Sequence, residues 1–271
     1  MTRIKTAQDR HATLVHLPAM TAAPAMETAM PPIWKETLWP LEWLALRLSS
    51  VYFGLGIPRG DGSPVVLVPG FMGTDAYLLE LYLWLKRTGY SPYMSGIGIN
   101  AECPARLTDR LVRTAERARA ETGRPLRIIG HSLGGIIGRR ACVQRPDLFS
   151  QLVCLGSPVQ GVHPHPAINA AVSLLRLAAG ALAFDPADCL SGRCACDFLS
   201  RVIEPLPASV SRAAIYTRND GLVDWHDSLE ADSNLNYEVG GTHIGLVYNP
   251  QAYRAVAVLL AEAAASERLA A

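Results

Sequence analysis

Gly130-His131-Ser132-Leu133-Gly134 joins a short apolar run, Ile128-Ile129, to a longer run with helical spacing that starts at Leu133. A Gly-x-Ser-x-Gly pentad at a strand-to-helix junction is the pattern of a nucleophile elbow. Such a turn holds its serine at strained backbone angles, so the hydroxyl projects from the end of the strand. The first N–H groups of the following helix then face any negative charge that develops there. By itself the pentad is a weak signal, because small residues gather at many tight turns. Residues further along the chain give it weight.

A serine nucleophile needs a base to take its proton and an acid to orient that base. In an open parallel sheet these groups arrive on loops at the C-terminal ends of strands. After the apolar run Ala213–Tyr216 comes Arg218-Asn219-Asp220-Gly221-Leu222-Val223-Asp224, and after Tyr237–Val239 comes Gly240-Gly241-Thr242-His243. The order Ser132, Asp220, His243 is the one elbow-type hydrolases use. Asp224 and Asp227 compete for the acid's role. Asp220 is preferred because it lies nearest the strand end, ahead of a glycine and an apolar pair that turn the chain back inward. His131 belongs to the elbow strand, where a sequence neighbour of the serine points the other way. His163 and His165 read as rim residues.

Two backbone N–H groups must also face the oxygen that becomes an anion. Leu133, next after the serine, supplies one, and the loop Pro69-Gly70-Phe71-Met72-Gly73-Thr74 offers the other through Phe71.

The elements that must position these groups alternate along the chain. Val65–Val68, a weak Tyr93-Met94, the elbow strand, Leu152–Leu155, Ala213–Tyr216 and Tyr237–Val239 read as strands. Helical patterns separate them at Ala76–Lys86, Pro104–Glu121, after Ser132, and from Gln251 to about Ala264. The fold class is therefore α/β: a mostly parallel sheet of about six strands with helices on both faces. The apolar helix Ala167–Phe184, a cysteine loop and a helical piece near Phe198–Ile203 interrupt the alternation after the fourth strand. This insertion, about 162–212, is expected to roof the site, with Leu174, Leu175 and Leu177 lining an apolar pocket for the substrate.

Residues 63–271 thus form one domain, and 1–62 an N-terminal extension. Its first part, to residue 31, is aperiodic and rich in Ala, Pro and Thr; it lacks the continuous apolar core of a signal peptide, which favours a cytoplasmic location and leaves a secreted or periplasmic one open. Ile33–Leu55 is a helical stretch carrying Trp34, Trp39 and Trp43. Lys35, Glu36, Glu42 and Arg47 gather on one side of it, but Trp43 and Leu46 share that side. A helix apolar almost all round is expected to pack on the body, with an interfacial role as the alternative. Pro40 kinks the stretch or starts its second part.

The segments Val66–Asp75, Gly130–Gly135, Gly156–Gly161, Asn219–Val223 and Gly241–His243 together resemble the α/β-hydrolase superfamily, most nearly bacterial triacylglycerol lipases and related esterases. The resemblance covers roughly Ser63 to Leu260. It implies an α/β-hydrolase fold with a lid, Ser132 as nucleophile, Asp220 as acid, His243 as base, and Phe71 and Leu133 as oxyanion donors. It implies an ester hydrolase acting on a small-molecule or lipid ester; transient contact with a lipid interface belongs to the interfacial alternative for the N-terminal helix. An acyltransferase or thioesterase could use the same three residues, and a catalytically silent binding protein is the alternative from another class. Pro69 stands where such lipases usually carry histidine, so the oxyanion loop must be supported differently. His243 is followed by Ile244-Gly245, without the acidic residue that helps those lipases bind calcium, so no metal or other cofactor is expected.

Composition bounds the remaining possibilities. Apolar residues make up 49% and charged ones 18% of 271 residues, with net charge +1. That balance supports a sizeable core and leaves no basic footprint for nucleic acid. Cys142 and Cys154 read as small buried hydrophobes and Cys103 as a loop residue. Cys189, Cys194 and Cys196 lack the paired spacing of structural zinc and read as a local disulfide or free thiols. Oligomeric state is not encoded in any recognisable pattern.

Overall fold

The computed structural model describes residues 30–161 and 204–270, with positions 166, 170, 171, 173, 174 and 198 between them. The expected arm before residue 30, most of the insertion, His163, His165 and the cysteine cluster at 189–196 lie outside the described residues.

Six strands form one sheet: β1 (Pro64–Val68), β2 (Ser91–Met94), β3 (Leu126–His131), β4 (Phe149–Leu155), β5 (Ser211–Tyr216) and β6 (Asn236–Glu238). Their order is β2-β1-β3-β4-β5-β6, every pair parallel. The central strands are buried on both faces, which is why they read as continuous apolar runs without polar alternation. Val65 and Leu67 of β1 face one side and Val66 and Val68 the other, in register with Arg127–Gly130 of β3.

On the first face pack α2 (Leu79–Thr88) and the C-terminal α5 (Pro250–Ala270), through Leu81, Trp84, Tyr253 and Leu260. On the second pack α3 (Pro104–Thr122) and α4 (Leu133–Gln144), through Leu107, Leu111, Ile136 and Ile137. Cys142 and Cys154 are buried on this second face, as their neighbours in sequence suggest. The chain leaves β1 toward β2 on one side and returns to β3 on the other. Loops after β1 and β3 therefore flank a crevice at the sheet's C-terminal edge, where open α/β sheets place their ligands.

The N-terminal segment departs from expectation. It forms a 3₁₀ turn (Ile33–Leu38), then α1 (Trp39–Leu48), then a second 3₁₀ turn (Ser50–Phe53); Pro40 lies in the first turn of α1 and so starts that helix. Its docking rests on Leu46, fully buried, and on Trp84 Nε1, which donates to the Val51 carbonyl at 2.8 Å. The three tryptophans do not carry it. Trp34 is 59% exposed; Trp39 and Trp43 are partly covered, by Tyr248 (ring centroids 5.4 Å apart) and by a bond from Trp43 Nε1 to Glu80. Instead, two of the residues on the polar side, Glu36 and Glu42, turn toward the body. Glu36 is only 4% exposed, while Leu41, Leu44 and Leu48 face outward. Helical periodicity locates the two faces, but backbone donors in distant loops select the inward one.

Candidate active site

Gly130 and Gly134 bring β3 and α4 together without room for side chains. A Cβ on Gly130 would lie 2.4 Å from the Gly135 Cα, and one on Gly134 would lie 2.2 Å from the Val68 carbonyl oxygen. Between them Ser132 adopts φ 52° and ψ −125°, and it is one of two non-glycine residues with positive φ among those described. A non-glycine residue in such a region carries strain of order 1–3 kcal/mol, and it persists only where the surroundings impose it. Here the imposed turn lifts the serine out of the sheet at the N-terminus of α4.

Asp220 and His243 come together from loops 23 residues apart in sequence: His243 Nδ1 lies 2.5 Å from Asp220 Oδ2. Both side chains are almost fully buried, His243 3% and Asp220 1% exposed. The other carboxylate oxygen, Oδ1, accepts from the N–H groups of Leu222 (2.9 Å) and Val223 (2.8 Å), so this carboxylate is fixed by its own turn. Burial disfavours a charged imidazole at His243. The charge and hydrogen bond of Asp220, with the charge of Glu36 beyond, outweigh it and hold the pKa above the ordinary histidine value. Asp224 is committed elsewhere, accepting from His226 N–H at 3.0 Å and pairing with His226 Nδ1 at 2.7 Å.

Ser132 and His243 line one cleft of about 290 Å³, with Phe71, Met72, Leu222 and Ile244 as its apolar walls. The loop after β1 is braced by hydrogen bonds to Asn100 that the sequence does not advertise. Asn100 Nδ2 donates to the Pro69 carbonyl at 2.7 Å, its N–H to Gly73 O, and its carbonyl accepts from Met72 N–H. Met72 takes φ 62° in this turn. Asn100 therefore supplies support to the loop whose residue 69 is proline. Asp75 adds a second brace by accepting from the N–H groups of Ser95 and Gly96. The N–H of Leu133 belongs to the first turn of α4, where no helical carbonyl precedes it.

His131 is closer to the site than its place in the strand suggests. Its Nε2 donates to the His243 carbonyl at 3.0 Å and its ring lies 4.8 Å from that of His243. Burial, then the neighbouring His243, lowers its pKa to about 3, so it stays neutral and braces the loop. Leu174 is 66% exposed, and Leu175 and Leu177 lie outside the described residues.

Three more residues around the site escape a reading of the sequence. Glu36 Oε1 accepts from Gly221 N–H (2.8 Å) and His243 N–H (3.2 Å), and Oε2 from Ile244 N–H (2.8 Å). Glu42 accepts from Thr242 N–H at 2.8 Å. Tyr77 donates to the Ile244 carbonyl at 3.2 Å. Partners separated by 167 to 208 residues leave no local signal.

No protein-family profile matches the sequence. Solved structures do resemble the fold. A Bacillus licheniformis lipase, BlEst2 in its mature form, superposes with a TM-score of 0.54 at 15% identity, over 76% of this chain and 94% of that one. A structure described under the metagenome-derived lipolytic enzymes LipS and LipT gives 0.51 at 16%, covering 78% and 96%. A soluble variant of Saccharomyces cerevisiae monoglyceride lipase, in complex with a substrate analogue, gives 0.50 at 16%, covering 76% and 90%. The chain has the α/β-hydrolase fold, and its structural neighbours include bacterial lipases and esterases at low identity.

Proposed function

We propose that the protein is a serine hydrolase that cleaves carboxylic esters with hydrophobic acyl chains. One observation carries this reading: a buried Asp220–His243 pair opens into the same apolar cleft as Ser132, which is held at positive φ at a helix N-terminus. In this reading Ser132 Oγ attacks the ester carbonyl while His243 takes its proton through Nε2, the nitrogen not bonded to Asp220. The N–H groups of Phe71 and Leu133 face the oxyanion. Collapse expels the alcohol with the proton from His243, leaving an acyl-serine. Water then repeats the sequence, releasing the acid and restoring the serine. The walls formed by Phe71, Met72, Leu222 and Ile244 favour an apolar acyl group, and Leu174, Leu175 and Leu177 of the insertion are proposed to extend that surface. The outward Leu41, Leu44 and Leu48, near a groove lined by Trp39, Trp43 and Leu83, support transient contact with a lipid interface.

A fluorophosphonate probe tests the reading. Stoichiometric labelling lost in Ser132→Ala, together with hydrolysis of a short p-nitrophenyl ester, supports it. Absence of labelling in the folded wild type refutes it. If label forms but added alcohols or thiols consume the acyl group faster than water does, the activity is acyl transfer.

A further inference from the structure

The loops that carry Asp220 and His243 come from different strands. Thr217 Oγ1 joins them near their base, donating to the Gly241 carbonyl at 2.7 Å, but ladder pairing stops short of their tips. The relative position of those tips decides whether carboxylate and imidazole meet. Glu36 bridges them: Oε1 takes the N–H of Gly221, the residue after Asp220, and also that of His243 itself, and Oε2 takes that of Ile244. The bridge is tight. A Cβ on Gly221 would stand 3.1 Å from Glu36 Oε1 and 3.3 Å from the Ile33 Cα, so the N-terminal chain lies directly on the acid's loop. A carboxylate this buried is costly unless hydrogen-bonded, and three backbone donors satisfy it. It replaces water as the acceptor for all three, at fixed positions.

Resting on the serine-hydrolase reading above, we infer that Glu36 is a positioning residue for the reaction: it ties the acid loop to the base loop and places a second negative charge behind the imidazole. When His243 accepts the serine proton, Asp220 faces the new positive charge directly and Glu36 faces it through the backbone. The other titratable groups around His243 are His131 below it, which stays neutral, Tyr77, whose hydroxyl donates to the Ile244 carbonyl, and Glu42, bonded to Thr242. Of these, Glu36 alone contacts both loops.

The test compares Glu36→Gln and Glu36→Ala with Ala45→Ser, an exposed position on the same segment. Displacements of about 1 Å at reacting groups cost on the order of 10²-fold in rate. Glu36→Ala should therefore lower kcat about 100-fold and Glu36→Gln about 10-fold, with KM changed less than about threefold. Gln keeps the size but turns an N–H donor toward one of the three donors. In both variants the His243 titration, followed by NMR of its ring, should move downward from the wild-type value, whereas Ala45→Ser should leave it in place. The NMR arm reads the bridge even in a protein that turns nothing over, so failure of the hydrolase reading and failure of this one are distinguishable. Melting temperatures that fall while kcat and the His243 titration stay at wild-type values would make Glu36 merely structural and overturn the inference.

Discussion

Asp220→Asn separates geometry from chemistry at this site. The Asp220 Oδ1 atom, which accepts from Leu222 and Val223 N–H, is reproduced by the amide oxygen of asparagine, so the loop keeps its turn. The other position becomes an NH₂ group facing His243 Nδ1, 2.5 Å away in the wild type. Two donors cannot share that contact, so the imidazole must move its proton to Nε2. It then cannot take a proton from Ser132. Loss of the correct tautomer costs about 10⁴-fold in kcat, equivalent to roughly 5.5 kcal/mol at 1.36 kcal/mol per decade. Stability should suffer less, because a lost charge-assisted hydrogen bond costs about 1.5–3 kcal/mol and an N–H···N contact offsets part of it. Hydrolysis of a soluble p-nitrophenyl ester and a denaturant melt, run side by side, read the two effects. Asp224→Asn disturbs the pairing with the half-exposed His226, away from His243, and should leave kcat near wild type. An active Asp220→Asn beside a collapsed Asp224→Asn would refute the assignment of the acid.

Three further outcomes rest on the same geometry. In the proposed mechanism neutral His243 is the active form, and its pKa is raised, so kcat/KM should climb with pH through an apparent pKa above the ordinary 6.5; a rise centred well below 6.5 contradicts the Asp220–His243 pairing. His131 titrates at about 3 when folded and near 6.5 when unfolded, so the unfolded chain binds the extra proton between those values and stability falls as pH drops from about 6.5 toward 3. The stability deficit of His131→Gln relative to wild type should accordingly shrink over that window, and a constant deficit in denaturant melts would show the histidine is not held neutral. Gly134→Ala sets a methyl 2.2 Å from a strand carbonyl that cannot yield, so it should cost about 3 kcal/mol or more, or prevent folding; a wild-type melt would mean the elbow is looser than described.

The sheet is legible in the sequence because its strands are buried on both faces and announce themselves as short apolar runs between turn residues. Strand ends then tell where Ser132, Asp220 and His243 must project, since a parallel sheet delivers its loops to one edge. Beyond the local turn at Asp220, what holds those loops still is hidden. Asn100 is one polar residue in a glycine-rich stretch, and nothing nearby says that its amide reaches back to Pro69. Strand alternation turns His131 away from the serine, yet its ring, at the end of β3, bends toward the His243 carbonyl. Glu36 and Glu42 mislead for a definite reason. Periodicity treats a carboxylate as water-seeking, whereas here unpaired N–H groups at residues 221 and 242–244 offer it four donors inside the protein.

That inversion changes what the N-terminal extension is for. Were the segment only a hydrophobic cover, its removal would lower stability and leave the loops intact. Deleting residues 1–62 instead removes the acceptors of four N–H groups around Asp220 and His243, along with the fully buried Leu46. Hydrogen bonds to charged acceptors contribute about 1.5–3 kcal/mol each at most, and a buried leucine about 1.5–3 kcal/mol. Water recovers part of the first, so the net loss should be several kcal/mol, a large share of the roughly 5–15 kcal/mol of a typical domain. Activity should fall further than the folded fraction does, because the loops lose their common acceptor even in molecules that remain folded. Deletion of residues 1–29 spares every one of these contacts and should change neither melt nor turnover much. Thermal melts, ester hydrolysis corrected for folded fraction, and binding to lipid emulsions distinguish the cases. If the longer deletion melts and turns over like the full chain and loses only emulsion binding, the extension is an interfacial anchor, and the bonds that Glu36 and Glu42 accept are incidental to the site.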